Sequence, residues 1–214
     1  AIPRLSKYIG ENDRQSYINT LKSTCRTYMA ILIPMSFGVM VLAKEIMWLY
    51  SKDVYTYTYP VLICAALSRI VFGYQSIMTY LVMYVNSMEK KLTVLLFQGG
   101  IINCILNFSL ILVGNFSALT SFITTMIAVL VFIFLSLRYA KNNLDLKGIF
   151  ITKEIIGYFI IALCFIPISF GVNLLHLGYI WNIAIDIVLC VGLYGFYMVY
   201  TKDPLLDVVF RKLR

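Results

Sequence analysis

Arg69 stands in a long apolar stretch, with no charged residue from 54 to 68 or from 70 to 88. A guanidinium stays charged at any physiological pH, and its planar fork of donors fits phosphate and carboxylate. At a helical period Arg69 shares a face with Ala65, Gly73, Ser76, Tyr80 and Ser87, while Leu67, Ile70, Val71, Ile77 and Met78 lie on the other side. A small, polar face suits an anion site in a cavity, with Ser76 and Tyr80 as further donors. It also suits an arginine that bonds neighbouring carbonyls or snorkels upward. A second polar set lies in "FQGGIINCILNF", where Gln98, Asn103 and Asn107 interrupt an uncharged run. Asn103 and Asn107 are one helical turn apart. They would either line a path for sugar hydroxyls and water or bond one helix to another, and Gly99 and Gly100 would let helices approach closely. The third candidate is Asp186, a carboxylate within an apolar run that would carry an ion or a proton, pair with a cation or serve structurally.

Other chemistries lack their residues. There is no Gly-Lys-Ser/Thr phosphate loop, no HExxH and no GxSxG. One histidine, His176, and no CxxC leave no zinc site, so neither a metal nor a cofactor is expected. The cysteines Cys25, Cys64, Cys104, Cys164 and Cys190 are widely spaced, and the last four fall in apolar runs, which reads as free thiols. The chain has only 10 Asp and Glu, most of them in the polar segments. With no acid–base pair or nucleophile gathered near an interface, no catalytic residue is assigned, and the balance points away from an enzyme and toward a transporter.

The elements that position these residues follow from composition. The chain is 61% hydrophobic and 13% charged, with a mean hydropathy of +0.85. Soluble domains run at about 45–50% apolar and about 25% charged, so an all-α integral membrane protein is expected. A spanning helix needs about 20 apolar residues, and six such runs are present. They cover about 27–49, 57–87, 92–113, 117–137, 151–174 and 179–200, with turns at Gly114-Asn115 and at His176-Leu177-Gly178. Strands of a barrel would be about ten residues long and alternating, and nothing here alternates. Counted from Pro60 at about 1.5 Å per residue, Arg69 lies about 14 Å along its helix, near mid-membrane, where a lipid-facing arginine costs several kcal/mol.

The net charge of +8 is explained by topology rather than by nucleic-acid binding. Arg4, Lys7, Arg14, Lys22 and Arg26 precede the first span, and Lys90 and Lys91 separate the second from the third. Arg138, Lys141, Lys147 and Lys153 separate the fourth from the fifth, and Lys202, Arg211, Lys212 and Arg214 follow the sixth. All of these fall on one side of a six-span layout, which places both termini in the cytoplasm. The other side holds Lys44 and Lys52, read with Glu45 and Asp53 as interfacial charges, and an aromatic belt of Trp48, Tyr50, Tyr55, Tyr57, Tyr59, Tyr179 and Trp181. Residues 1–26 read as a cytoplasmic link, with a surface helix over 11–28 marked by Tyr17, Leu21 and Tyr28. Residues 202–214 read as a cytoplasmic tail ending in the amphipathic "DPLLDVVFRKLR". Pro34 and Pro167 fall inside spans, where they can kink a helix.

"IPRLSKYIGENDRQSYINTLKS", then Ile33-Pro34 with Gly38, "LAKEIMWLYSKDVY" and "NSMEKKLTVLLFQGGIINCILNFSLI" together resemble oligosaccharide flippases of the multidrug/oligosaccharidyl-lipid/polysaccharide exporter superfamily. The likeness spans about 2–143; the last two helices correspond only in position, and Asn86-Ser87 replaces the glycine-bearing turn more usual before the lysines. The resemblance implies a two-lobed fold of 12–14 helices around a cavity, of which this chain would be the C-terminal six, a fragment lacking the N-terminal lobe. It implies alternating access that carries undecaprenyl-pyrophosphate-linked oligosaccharide to the outer leaflet of a bacterial inner membrane, for lipopolysaccharide or capsule biosynthesis. Arg69 would match, by position, the cavity cations that hold pyrophosphate. Partners would be the lipid-linked oligosaccharide, the bilayer, the first lobe and glycan-assembly proteins. Two alternatives stand beside this: a cation-coupled multidrug antiporter of the same superfamily, using Asp186, and a polytopic envelope-glycan polymerase or acyltransferase. The second would need long outer loops, which are not expected here.

Overall fold

The computed structural model describes residues 1–52, 54–144, 146 and 148–205. Lys147 and most of the amphipathic tail, including Arg211, Lys212 and Arg214, lie outside the described residues, as does Asp53. Among the described residues the chain is helical with no strand. In order come α1 (Ile2–Gly10), α2 (Arg14–Val41), α3 (Ala43–Ser51), a 3₁₀ turn (Thr56–Thr58), α4 (Tyr59–Ser76) continued by a π-helical stretch (Ile77–Tyr84), α5 (Glu89–Leu112), α6 (Ala118–Leu144), α7 (Lys153–Leu163), α8 (Phe165–Asn173) and α9 (Tyr179–Tyr200). Six segments are long and apolar enough to cross a membrane: Arg14–Val41, Thr56–Tyr84, Glu89–Leu112, Ala118–Leu144, Lys153–Asn173 and Tyr179–Tyr200.

The first span differs from the expected one. A short separate helix, α1, precedes it, and the polar segment expected to run into that span forms the beginning of α2. After a turn at Asn12, whose φ is 56°, α2 starts at Arg14 and runs unbroken to Val41. Asp13 caps it by accepting the Ser16 N–H at 3.0 Å, and hydrogen bonding from the Ser16 side chain, then from its backbone, holds the Asp13 carboxyl below its ordinary range. The buried stripe of α2 is Tyr17, Leu21, Cys25 and Met29, each four residues from the last, whereas Tyr28 is exposed.

Each proline has its own outcome. Pro34 sits inside α2 without ending it. A proline there leaves the Ala30 carbonyl without its helical donor, and the Tyr194 hydroxyl donates to that carbonyl at 2.5 Å. The fifth span is interrupted at Cys164, between α7 and α8. Pro167 can neither donate to the Leu163 carbonyl nor avoid crowding it, which accounts for the break.

The chain folds into two compact units. One comprises Ala1–Met29 and Leu67–Thr152. Here α5 packs along α6, and the π-helical stretch packs on α1, α5 and α6. Gly99 faces the Ala128 carbonyl and Phe132 of α6, while Gly100 has nothing within reach. The core joins Leu5 of α1 and the α2 stripe to Ile77, Met78, Val82 and Met83. Tyr17 donates to the Leu81 carbonyl at 3.2 Å and accepts from Asn86 at 2.9 Å.

The other unit comprises Ala30–Ala66 and the described residues from Lys153 onward. In it α9 packs on α8, α3 and α7. Trp48 stacks on Tyr179 at 4.7 Å, and the Lys52 ammonium lies 4.4 Å from the Trp48 ring, so part of the expected aromatic belt is a packed cluster. At the other end of α9, Asp203 is buried, accepting the Tyr158 hydroxyl and the Leu205 N–H.

Candidate functional site

The first unit holds six of the residues singled out in the sequence. α4 buries Ser68 and Ile70 and leaves Arg69 exposed. Ile77 and Met78 are also buried, so the apolar side of this helix forms core, as its periodicity requires. The Arg69 guanidinium forms no hydrogen bond or ion pair with any described residue. Ser76 is half-buried at the end of α4, and Tyr80 is exposed in the π-helical stretch that follows. π-turns recur at functional sites, and nothing in the residue types here announced one. Gly73 is buried rather than part of an open polar stripe.

On α5, Gln98 is exposed, whereas Asn103 and Asn107 are half-buried and engaged. Asn107 donates Nδ2 to Asn103 Oδ1 at 3.1 Å and accepts the Thr124 hydroxyl of α6 at 2.7 Å. Asn107 thereby clasps α5 to α6 through Thr124, with Asn103 bonded to it from within α5. No hydrogen bond joins Arg69 to Gln98, Asn103 or Asn107.

The same unit has a polar cavity of about 290 Å³ lined by Tyr8, Arg14, Tyr17, Asn86 and Asn143 among others. Arg14 is already committed there, donating to the Leu144 carbonyl at 2.8 Å.

The second unit holds Asp186 and its surroundings. Asp186 is 1% exposed, and its Oδ2 accepts the Ser169 hydroxyl of α8 at 2.9 Å. Asn182, one turn earlier on α9, is 6% exposed and donates Nδ2 to Asn173 Oδ1 at 2.9 Å. Asn173 in turn donates to the Ser169 carbonyl at 3.0 Å.

Glu45, expected at the interface, is instead 2% exposed in the first turn of α3, the helix that packs on the Asp186 helix α9. Sequence reading missed it because the adjacent Lys44 and the nearby Lys52 mark an interface. The available signal was the helical phase, which separates Lys44 from Glu45 by about 100° and leaves only one of them facing solvent. Asp186 also lies in the wall of an apolar cavity of about 670 Å³, formed with the end of α2, with α3 and with α8. Among the described residues no three His, Cys, Asp or Glu gather as a metal site.

Long apolar helices that pack into bundles, with a few polar side chains turned inward, define the class: this is an all-α, multi-pass membrane protein. No protein-family model, no curated protein and no solved structure matches the chain.

Proposed function

We propose that the chain is the C-terminal part of a transporter that flips an anionic, lipid-linked oligosaccharide across a bacterial inner membrane by alternating access. The observation that carries this reading is the state of Arg69. It is a permanent cation well inside a spanning helix, exposed, with no partner among the described residues and with Ile70, Ile77 and Met78 buried on the other side of its segment. An unpaired arginine at that depth is costly against lipid and favourable against a diphosphate, which accepts its fork of donors. On this reading the exposed side of α4, with Tyr80 further along, faces a cavity completed by a second lobe of the same polypeptide. Gln98 supplies a further hydrogen-bonding group, and both termini of the segment are cytoplasmic.

In the full-length protein, Arg69→Glu should abolish export of lipid-linked glycan while leaving membrane levels unchanged, and Arg69→Lys should retain partial export. Normal export by a stably inserted Arg69→Glu variant would remove Arg69 from the mechanism. A cation-coupled antiporter is the second reading. It is favoured by the buried carboxylates Glu45 and Asp186, which an exporter driven by an ion gradient requires and a passive flippase does not.

A further inference from the structure

Three oxygen atoms in the second unit are buried and have no hydrogen-bond partner: Glu45 Oε2, Asp186 Oδ1 and Asn182 Oδ1. The asparagine's orientation is fixed by its network. Asn173 uses its Nδ2 on the Ser169 carbonyl, so its Oδ1 must be the acceptor, Asn182 must present its own Nδ2, and the Asn182 oxygen is left over. Asn182 and Asp186 are one turn apart on the face of α9, and the Ser169 hydroxyl already holds the other oxygen of Asp186. The three open oxygens all belong to residues no more than 6% exposed.

Two carboxylates in such a place are not tolerated bare. A buried charge is paired, protonated or bound to a cation, because the penalty for desolvating it alone is very large. Among the described residues, no side chain of the unit pairs with these carboxylates. Lys44, the cation beside Glu45, is exposed and forms no ion pair, and α8 and residues 30–41 of α2 carry no ionisable group. On α9 the nearest ionisable neighbour of Asp186 is Cys190, which brings no positive charge. On α7, Tyr158 is committed to Asp203. None of the described residues supplies the missing partner, and oxygen-only donors select a hard cation.

We propose that Glu45, Asp186 and Asn182, with Ser169, form a monovalent-cation site that takes a proton or Na⁺. The site belongs to α3, α8 and α9 and does not depend on Arg69, so it stands or falls separately from the flippase reading. In a membrane bundle, intramembrane carboxylates of this kind are where ion gradients are coupled to movement.

The test uses the chain purified in detergent. NaCl is titrated calorimetrically against a choline chloride control, and carboxyl infrared difference spectra are recorded from about pH 5 to about pH 9. Saturable Na⁺ binding, weakened roughly tenfold or more by Asp186→Asn and by Glu45→Gln, would identify Na⁺ as the ligand. A protonated-carboxyl band that titrates in this range and is lost in those variants, with no Na⁺ heat, would identify the proton. Asn182→Ala separates the two further: it should weaken Na⁺ binding several-fold and leave a proton band in place. Circular dichroism and monodisperse elution establish that each variant is folded, and either carboxylate variant suffices if the other is not. If the wild-type chain shows neither Na⁺ binding nor a titrating carboxyl, or if its signals survive both carboxylate substitutions, the site does not exist.

Discussion

Two polar clusters, one in each unit, satisfy themselves to different degrees. On α5 and α6, Asn103, Asn107 and Thr124 form a neutral chain in which one side chain's donor meets the next one's acceptor. On α8, α9 and α3, the chain from Asn182 through Asn173 and Ser169 to Asp186 leaves oxygens open at both ends, and Glu45 adds a third. The first unit does contain one buried unpartnered hydroxyl, that of Ser136, but a hydroxyl is neutral and its desolvation costs far less than that of a carboxylate. The difference separates helix packing from ligand chemistry. A closed neutral clasp needs nothing more, whereas an open acidic one calls for a cation.

The largest expected effect breaks the comparison if it fails. A ligand that binds only the folded state stabilises it by RT ln(1 + [L]/Kd), about 2.7 kcal/mol at a hundredfold excess over Kd. The thermal midpoint of the chain in detergent should therefore rise with NaCl relative to choline chloride, or else depend on pH. Glu45→Gln with Asp186→Asn should flatten that dependence. Substitutions in the α5–α6 clasp should lower the midpoint but leave its response to cations intact. If clasp variants and carboxylate variants respond alike, the two clusters are not different in kind.

A smaller effect concerns a neutral group in the second unit, which does have its partner. Tyr194 donates to the Ala30 carbonyl that Pro34 leaves without a helical donor. Tyr194→Phe orphans a buried carbonyl and should cost about 1–2 kcal/mol. Pro34→Ala restores an N–H to the same carbonyl, and in that background Tyr194→Phe should cost clearly less. A double-mutant cycle on thermal or chemical stability measures the difference. Equal costs in both backgrounds would mean that the hydroxyl is not compensating for the proline.

The spans were legible because a bilayer demands long apolar runs, and turns such as Gly114, with φ at 73°, carry their own marks. The interruptions were less so. The break before Pro167 follows from the missing amide, but the break at Leu42 and the π-helical stretch at Ile77–Tyr84 have no counterpart in residue type. For the sites, legibility depended on whether a residue's neighbours are close in sequence. Asn103 and Asn107 announced a shared face because they are one turn apart. Glu45 and Asp186 are far apart in sequence and fall in the same cluster only because α3 packs on α9; Asp186 stood out within its apolar run, whereas Glu45 was read as an interfacial charge.

The smallest effect sharpens the meaning of a closed cluster. Asn107→Ala should destabilise the α5–α6 pair by about 0.6 kcal/mol and at most about 1.7 kcal/mol, the range found for interhelical hydrogen bonds in membranes. The loss arises because the Asn103 side-chain oxygen loses its donor and the Thr124 hydroxyl keeps only the Ser121 carbonyl of its own helix. Replacing the whole set, Asn103→Leu with Asn107→Leu and Thr124→Val, removes the orphaned groups together with the bonds and should be nearly neutral. Unfolding in mixed micelles, comparing single and triple variants, reads this directly. A triple variant much less stable than Asn107→Ala would show that these side chains do more than satisfy one another. The sugar-hydroxyl role first considered for Asn103 and Asn107 makes a separate demand, since it would require the triple variant to lose transport while keeping its stability.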